Sequence, residues 1–212
     1  MAIAGTSALR QLPERVARAW TWLTSRLSAR LWLRTCDIVG ANTRTFWRPH
    51  IENRGRIVIG HGVRLNSHWA PVELVTGPDG VIEIGDGAYI NYGTLVSAQL
   101  RVRIGENVMI GNYTIIGDTD VPGIGEPRRA PLLKACDVEI GDGAWLAARV
   151  TVLPGARIGE RAVIAAGSVV AGEIPPGSVA GGIPARVLRA PASAAIAASE
   201  SSSQGAPGGD RS

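Results

Sequence analysis

The chain has 212 residues, 22 Lys and Arg against 18 Asp and Glu, and a net charge of +4. That length suits one domain with tails, and so slight a positive balance argues weakly for anionic ligands and no more. Only 5% of the residues are aromatic while 27 are Gly, which favours a thin, layered aliphatic core over a globular one. No run of 18 apolar residues occurs, so no transmembrane helix is expected. Cys36 and Cys136 match no metal or redox spacing and read as free or buried thiols of a reducing compartment. The N-terminus has no signal-peptide pattern, and the expected location is cytoplasmic.

Residues 1–35 read as an amphipathic basic helix. Leu9, Leu12, Val16, Trp20, Leu23, Leu27 and Leu31 recur at threes and fours, giving one apolar stripe, with Arg10, Arg15, Arg18, Arg26, Arg30 and Arg34 around it. Two placements are open. The helix caps the end of a solenoid or packs on a neighbouring subunit, as a solenoid end must be covered. Alternatively residues 9–34 lie peripherally on an anionic membrane surface, which Arg with Trp20, Trp22 and Trp32 would suit. Residues 36–56, with Phe46, Trp47 and Pro49, read as a connector lying across the first coil.

From residue 57 the chain repeats. Ile-Gly-x-x-(Ala/Val) occurs five times, starting at Ile59, Ile84, Ile104, Ile140 and Ile158. In the run from Ile140 to Pro175, the residues Ile140, Leu146, Val152, Ile158, Ile164 and Val170 fall at every sixth place. Ile, Val and Leu are about a quarter of the chain, so this register has a chance of roughly 2 in 10,000 per frame. A period of six is neither 3.6 nor plain 2. It fits short strands joined by abrupt corners, one aliphatic pointing inward per side, with three sides closing a coil of about 18 residues. Small residues follow four places later, at Ala144, Val150, Ala156, Ala162 and Ser168, where a corner has little room. The Ile spacings of 25, 20, 36 and 18 then read as one coil plus seven, one plus two, two coils, and one coil. The surplus seven is assigned to the Thr76-Gly77-Pro78-Asp79-Gly80 turn. The expected fold is an all-β solenoid spanning residues 57–189.

The pattern lapses over residues 117–137, which carry three prolines, three glycines, Arg128 and Arg129, and read as a protruding loop where function is placed. Residues 190–212 are Ala/Ser/Gly-rich and read as a disordered tail.

The hexads, followed by the ending Ile174-Pro175-Pro176-Gly177-Ser178 and Ile183-Pro184-Ala185-Arg186-Val187-Leu188-Arg189, resemble the hexapeptide-repeat acyltransferases, in particular the maltose/galactoside O-acetyltransferase branch and its polysaccharide-biosynthesis relatives. The resemblance implies a left-handed parallel β-helix, a homotrimer, acetyl-CoA as acyl donor and a sugar or glycan acceptor. The chain has no Zn-type spacing, so no metal is expected, and nucleic acid is the least favoured partner for its basic helix. On this resemblance Trp145, Ala148 and Ala166 contact the cofactor, Arg186 and Arg189 meet its phosphates, and Asn91 orients the acceptor. Where the galactoside branch has Thr-Lys after the last hexad, this chain has Ala171-Gly172, which predicts weaker or differently placed phosphate contacts.

In relatives a loop His follows an Asp-x-Asp string and takes the acceptor's proton. Here the string is Asp118-Thr119-Asp120-Val121-Pro122, and no His occurs after His68. Three explanations stand: Asp118 or Asp120 serves as the base, His68 reaches the site from another coil or subunit, or most activity is lost. The function classes are thus an acyl-CoA-dependent O-acyltransferase and a degenerate homologue acting as a trimeric scaffold or CoA-binding module. A hexapeptide-fold carbonic anhydrase is excluded, because its three His ligands would have to spread over later coils that hold none.

Overall fold

The computed structural model describes residues 28–119 and 135–190. The predicted helix before residue 28, most of the loop including Asp120, and the predicted tail from residue 191 lie outside the described residues. What is described is almost wholly parallel β. Three sheets stack into a three-sided prism, and each of the six full coils gives one strand to each sheet. The first sheet holds β1 (Ile38–Val39), β4 (Arg56–Ile59), β7 (Val81–Ile84), β10 (Arg101–Ile104), β13 (Val138–Ile140), β16 (Arg157–Ile158) and β19 (Glu173–Ile174). The second holds β2 (Arg44–Phe46), β5 (Arg64–Asn66), β8 (Tyr89–Ile90), β11 (Met109–Ile110), β14 (Trp145–Leu146), β17 (Val163–Ile164), β20 (Val179–Gly182) and the antiparallel β21 (Ala185–Arg189). The third holds β3 (His50–Asn53), β6 (Glu73–Thr76), β9 (Leu95–Ala98), β12 (Ile115–Gly117), β15 (Thr151–Val152) and β18 (Val169–Val170).

The hexad register is the packing register. Ile140, Leu146, Val152, Ile158, Ile164 and Val170 are at most 2% exposed, and the corner residues Ala144, Val150, Ala156, Ala162 and Ser168 at most 1%. Each such aliphatic contributes about 1.5–3 kcal/mol on burial, and stacked coils share them in one continuous column. The Gly of Ile-Gly has a steric cause: a Cβ on Gly85 would lie 2.6 Å from the carbonyl carbon of Gly105 in the next coil. Corner hydroxyls answer corner carbonyls, Thr94 Oγ1 donating to Gly111 O at 3.1 Å and Ser168 Oγ to Ala165 O at 2.7 Å.

Four expectations need correction. Residues 36–56 are a full coil, since β1, β2 and β3 pair in parallel with β4, β5 and β6. The 36-residue spacing is one coil and an excursion, because Ile104 pairs directly with Ile140. The excursion leaves and returns at one point, where Cys136 N donates to Asp118 O at 2.9 Å. The seven surplus residues divide between two corners. Leu65 and Leu74 align with Ile90 and Val96, so nine residues separate the first pair and six the second. Three of the surplus residues therefore lie in the corner between β5 and β6. Finally, at the helical end (28–32) the buried face is Ala29 and Leu33, at 3% and 1% exposure, while Leu31 is 53% exposed. That turn closes the first coil, with Ser28 Oγ donating to Thr45 O at 2.8 Å.

Candidate functional site

The three faces differ in chemistry. On the first sheet an outward column alternates in sign, Glu83, Arg103, Glu139, Arg157 and Glu173, and Glu139 holds Arg103 at 2.7 Å and Arg157 at 3.1 Å. Pairs this exposed each contribute under about 1 kcal/mol, but they mark a face built for water. The exposed apolar residues Met109, Trp145, Tyr113 and Ile115 instead flank the edge between the second and third sheets.

Along that edge the registers line up Asn66, Asn91, Gly111, Ala147 and Ala165, one per coil, about 4.8 Å apart. Asn91, Trp145, Ala148 and Ala166 all lie on it. Trp145 stands outward on β14 at 48% exposure. Ala148 and Ala166 occupy equivalent places two coils above Asn91 and higher, and Gly167 N donates to Ala148 O at 3.0 Å. The edge thus offers a flat indole, then small side chains beside backbone amides, the surface a thin amide-bearing chain requires. β21 closes the top of the second sheet, pairing Arg189 with Val179 and Arg186 with Gly181.

At the lower end Asn91 is held on several sides. Its Oδ1 accepts from Asn66 Nδ2 at 3.0 Å, from Tyr92 N at 2.9 Å and from Tyr89 Oη at 3.3 Å. Asn66 Nδ2 also donates to Tyr89 Oη at 3.1 Å. Asn66, Tyr89 and His68 line one groove of about 510 Å³ with Arg44, Phe46, Arg64 and Trp69. Sequence reasoning singled out neither Asn66 nor Tyr89. The signal was present, since Leu65-Asn66 and Ile90-Asn91 hold the same hexad place.

Asp118 is elsewhere, at the corner between the third and first sheets. It is 0% exposed, and its carboxylate accepts from Gln99 N at 2.9 and 3.0 Å and from Leu100 N at 2.7 Å. Both oxygens are occupied by backbone, which is the geometry of a capping residue. Arg186 lines a second groove with Ala171, Gly172 and Glu173, at the corner that joins β18 to β19. The absent Thr-Lys pair would have stood in this groove, where Glu173 now brings a carboxylate. Within one chain Asp118 and the Ala171-Gly172 corner thus stand on a different edge from Asn91, Trp145, Ala148 and Ala166. Arg186 and Arg189 are carried by β21 on the second sheet, and Arg186 also lines the groove at that other edge.

A three-sided parallel coil of hexads, with a column of small residues along one edge and a basic closing strand, defines a hexapeptide-repeat protein. The family described as "Bacterial transferase hexapeptide (six repeats)" matches residues 137–172. The chain is 30% identical over 170 residues to the "Putative lipopolysaccharide biosynthesis O-acetyl transferase WbbJ" of Escherichia coli K12, covering 69% of this chain and 82% of that one. It is 36% identical over 108 residues to the galactoside O-acetyltransferase of Escherichia coli K12, covering 51% and 53%. The chain spans about half the length of that relative and of two further curated acetyltransferases. Among solved structures, galactoside acetyltransferase in complex with coenzyme A superposes with a TM-score of 0.57 at 29% identity, over 76% of this chain and 68% of that one. The chain belongs to the hexapeptide-repeat acetyltransferase family, and its fold is that family's left-handed parallel β-helix.

Proposed function

We propose that the chain is an acetyl-CoA-dependent O-acetyltransferase for a sugar hydroxyl in glycan or polysaccharide synthesis, acting as a homotrimer. The observation that carries this reading is the single edge on which Asn91, Trp145, Ala148 and Ala166 align, apolar on both flanks while the first sheet is charge-laddered. The relatives' names support the transfer class, and the coenzyme A complex of galactoside acetyltransferase supports the donor.

Acetyl-CoA supplies an activated thioester carbonyl. Trp145 offers its indole face to the donor's arm, Ala148 and Ala166 leave backbone amides accessible, and Arg186 and Arg189 offer guanidinium forks to its phosphates. Ala171-Gly172 gives the phosphate end neither hydroxyl nor ammonium. Asn91, locked by Asn66 and Tyr89, presents its amide nitrogen toward the acceptor. The groove of Arg186, Ala171 and Gly172 and the neck of the excursion lie on the other edge. A copy whose second edge meets the first edge of its neighbour completes the constellation, and a heterologous contact of this kind with a rotation of about 120° closes as a ring of three.

Isothermal titration with acetyl-CoA tests the reading, beside an Arg186→Glu/Arg189→Glu variant. Micromolar binding that the variant weakens at least tenfold is expected. Absence of binding at millimolar ligand would leave the alternative, a trimeric scaffold.

A further inference from the structure

The family's loop base has no counterpart in this sequence, and the loop's described carboxylate is fully engaged with backbone. The chain has three His. His50 stands on β3, on the third sheet. His61 sits at the corner between the first and second sheets, where its Nδ1 accepts from Ala41 N at 3.0 Å. His68 alone lies on the edge that carries Asn91.

Its position follows from the three surplus residues between β5 and β6. Ordinary corners hold four residues here, as Asn91 to Thr94 do; counted from the same register place this one holds seven, Asn66 to Val72. Ser67 is 6% exposed and its Oγ accepts from Val72 N at 3.0 Å, which cinches the base of the bulge. The residues between are pushed outward. His68 N donates to Asn66 Oδ1 at 3.2 Å, and Asn66 Nδ2 donates to Asn91 Oδ1, so two hydrogen bonds join the His68 backbone to Asn91. The imidazole is walled edge-on by Trp47 and Trp69, with ring centroids at 5.5 and 4.7 Å. Two indoles limit its rotamers, and the side chain lines the groove. Among the described residues, the charged and titratable groups that line the groove with it are Arg44 of β2, Arg64 of β5 and Tyr89 of β8, with no carboxylate.

Resting on the acetyltransferase reading, we propose that His68 is the general base, supplied by the same edge that holds Asn91. The acceptor O–H gives its proton to an imidazole nitrogen as its oxygen bonds to the thioester carbon. The C–S bond then breaks, and the departing thiolate takes that proton from the imidazolium, so neutral His68, free CoA and the acetyl ester result. Trp69, 76% exposed, flanks the site with a flat apolar face suited to the C–H face of a sugar ring.

The experiment uses the full chain with His68→Gln and His68→Ala. CoA release from acetyl-CoA is followed with p-nitrophenyl glycosides and with water as acceptors, and acetyl-CoA binding is titrated in parallel. A kcat loss of about 10²- to 10⁴-fold at unchanged acetyl-CoA affinity is expected, with partial recovery of His68→Ala by added imidazole. As a readout independent of turnover, diethyl pyrocarbonate labelling mapped by mass spectrometry should slow at His68 under saturating acetyl-CoA, with His50 as internal control. Wild-type turnover in both variants, or labelling of His68 that acetyl-CoA leaves unchanged, would overturn the assignment and leave the transferase reading standing. Wild-type protein that binds acetyl-CoA yet releases no CoA overturns the base and the transfer together, and protein that binds none removes the cofactor slot as well.

Discussion

Asp118 separates a structural carboxylate from a catalytic one. Its two oxygens make three contacts with the N–H groups of Gln99 and Leu100, and its own carbonyl accepts from Cys136 N. It therefore pins the neck at which the excursion leaves the prism. Asp118→Ala strands two backbone donors. A hydrogen bond to a charged acceptor contributes about 1.5–3 kcal/mol, but Gln99 and Leu100 are exposed enough for water to replace part of it, so the total loss is set at about 2–4 kcal/mol. Asp118→Asn keeps one acceptor and turns an NH₂ toward a donor, for a loss of about 1–2 kcal/mol. For a chain of this size these correspond to Tm decreases of roughly 5–15 °C and 2–8 °C. Scanning calorimetry measures the shift, and CoA release per folded molecule measures the chemistry. Turnover of the folded fraction should stay within about threefold of wild type. An Asp118→Asn protein with wild-type Tm and no turnover would refute the reasoning and make Asp118 the base.

Two further outcomes concern the first coil. Burial, reinforced by the neighbouring Asp37 carboxylate, pushes the Cys36 thiol up to about 12. At pH 8 the thiolate is then scarce, and native Cys36 should label with a disulfide reagent at least about a hundredfold slower than in urea, read site by site by mass spectrometry; equal rates would contradict its burial. The Asp37 carboxyl is held below the usual aspartate range by hydrogen bonds from Ile57 N and Asn53 Nδ2. A depressed folded value means that its stabilisation is present above pH about 4 and is lost as pH falls further. Asp37→Asn should flatten the Tm decline between pH 5 and pH 3 by acid titration, and superimposable curves would deny the contribution.

The coils were legible wherever the inward residue is aliphatic and the corner residue small, because those two demands repeat at fixed places. Legibility failed at the first coil for a physical reason. Its inward position on β2 is Thr45, 1% exposed, whose hydroxyl lies 2.8 Å from Ser28 Oγ. A terminal coil packs against the covering helical turn instead of another coil, so polar pairs and the small Ala29 replace the aliphatic column, and a leucine-based stripe misplaces Leu31. The bulge at Ser67 to Val72 escaped notice because Pro78-Asp79-Gly80 is so strong a turn signal that it absorbed all the surplus. At the site, counting from the inward aliphatic would have put Asn66, Asn91, Ala148 and Ala166 on one edge. That Asp118 is spent on Gln99 and Leu100 was not legible, because the contact joins neighbouring coils across 18 or 19 positions.

Arg186, which lines the groove at the second edge, and Trp145 on the first give the proposed trimer a quantitative test. A Trp145→Ala chain has a damaged first edge and an intact second edge; an Arg186→Glu chain has the reverse. Alone, each forms a homotrimer in which every site is damaged. When the two are co-expressed in equal amounts and mix at random, a contact is intact only where the first edge comes from the Arg186→Glu chain and the second from the Trp145→Ala chain. Each choice has a probability of one half, so about a quarter of all sites are whole, one in every mixed ring, and turnover should recover to about 25% of wild type. Mixing after separate purification should restore nothing until the rings exchange subunits. A site contained within one chain predicts no recovery at any mixing ratio, because every chain carries one lesion. Recovery near a quarter requires Trp145 of one chain to work with Arg186 of its neighbour, and failure to recover in rings shown by mass to be mixed would return the whole site to a single chain.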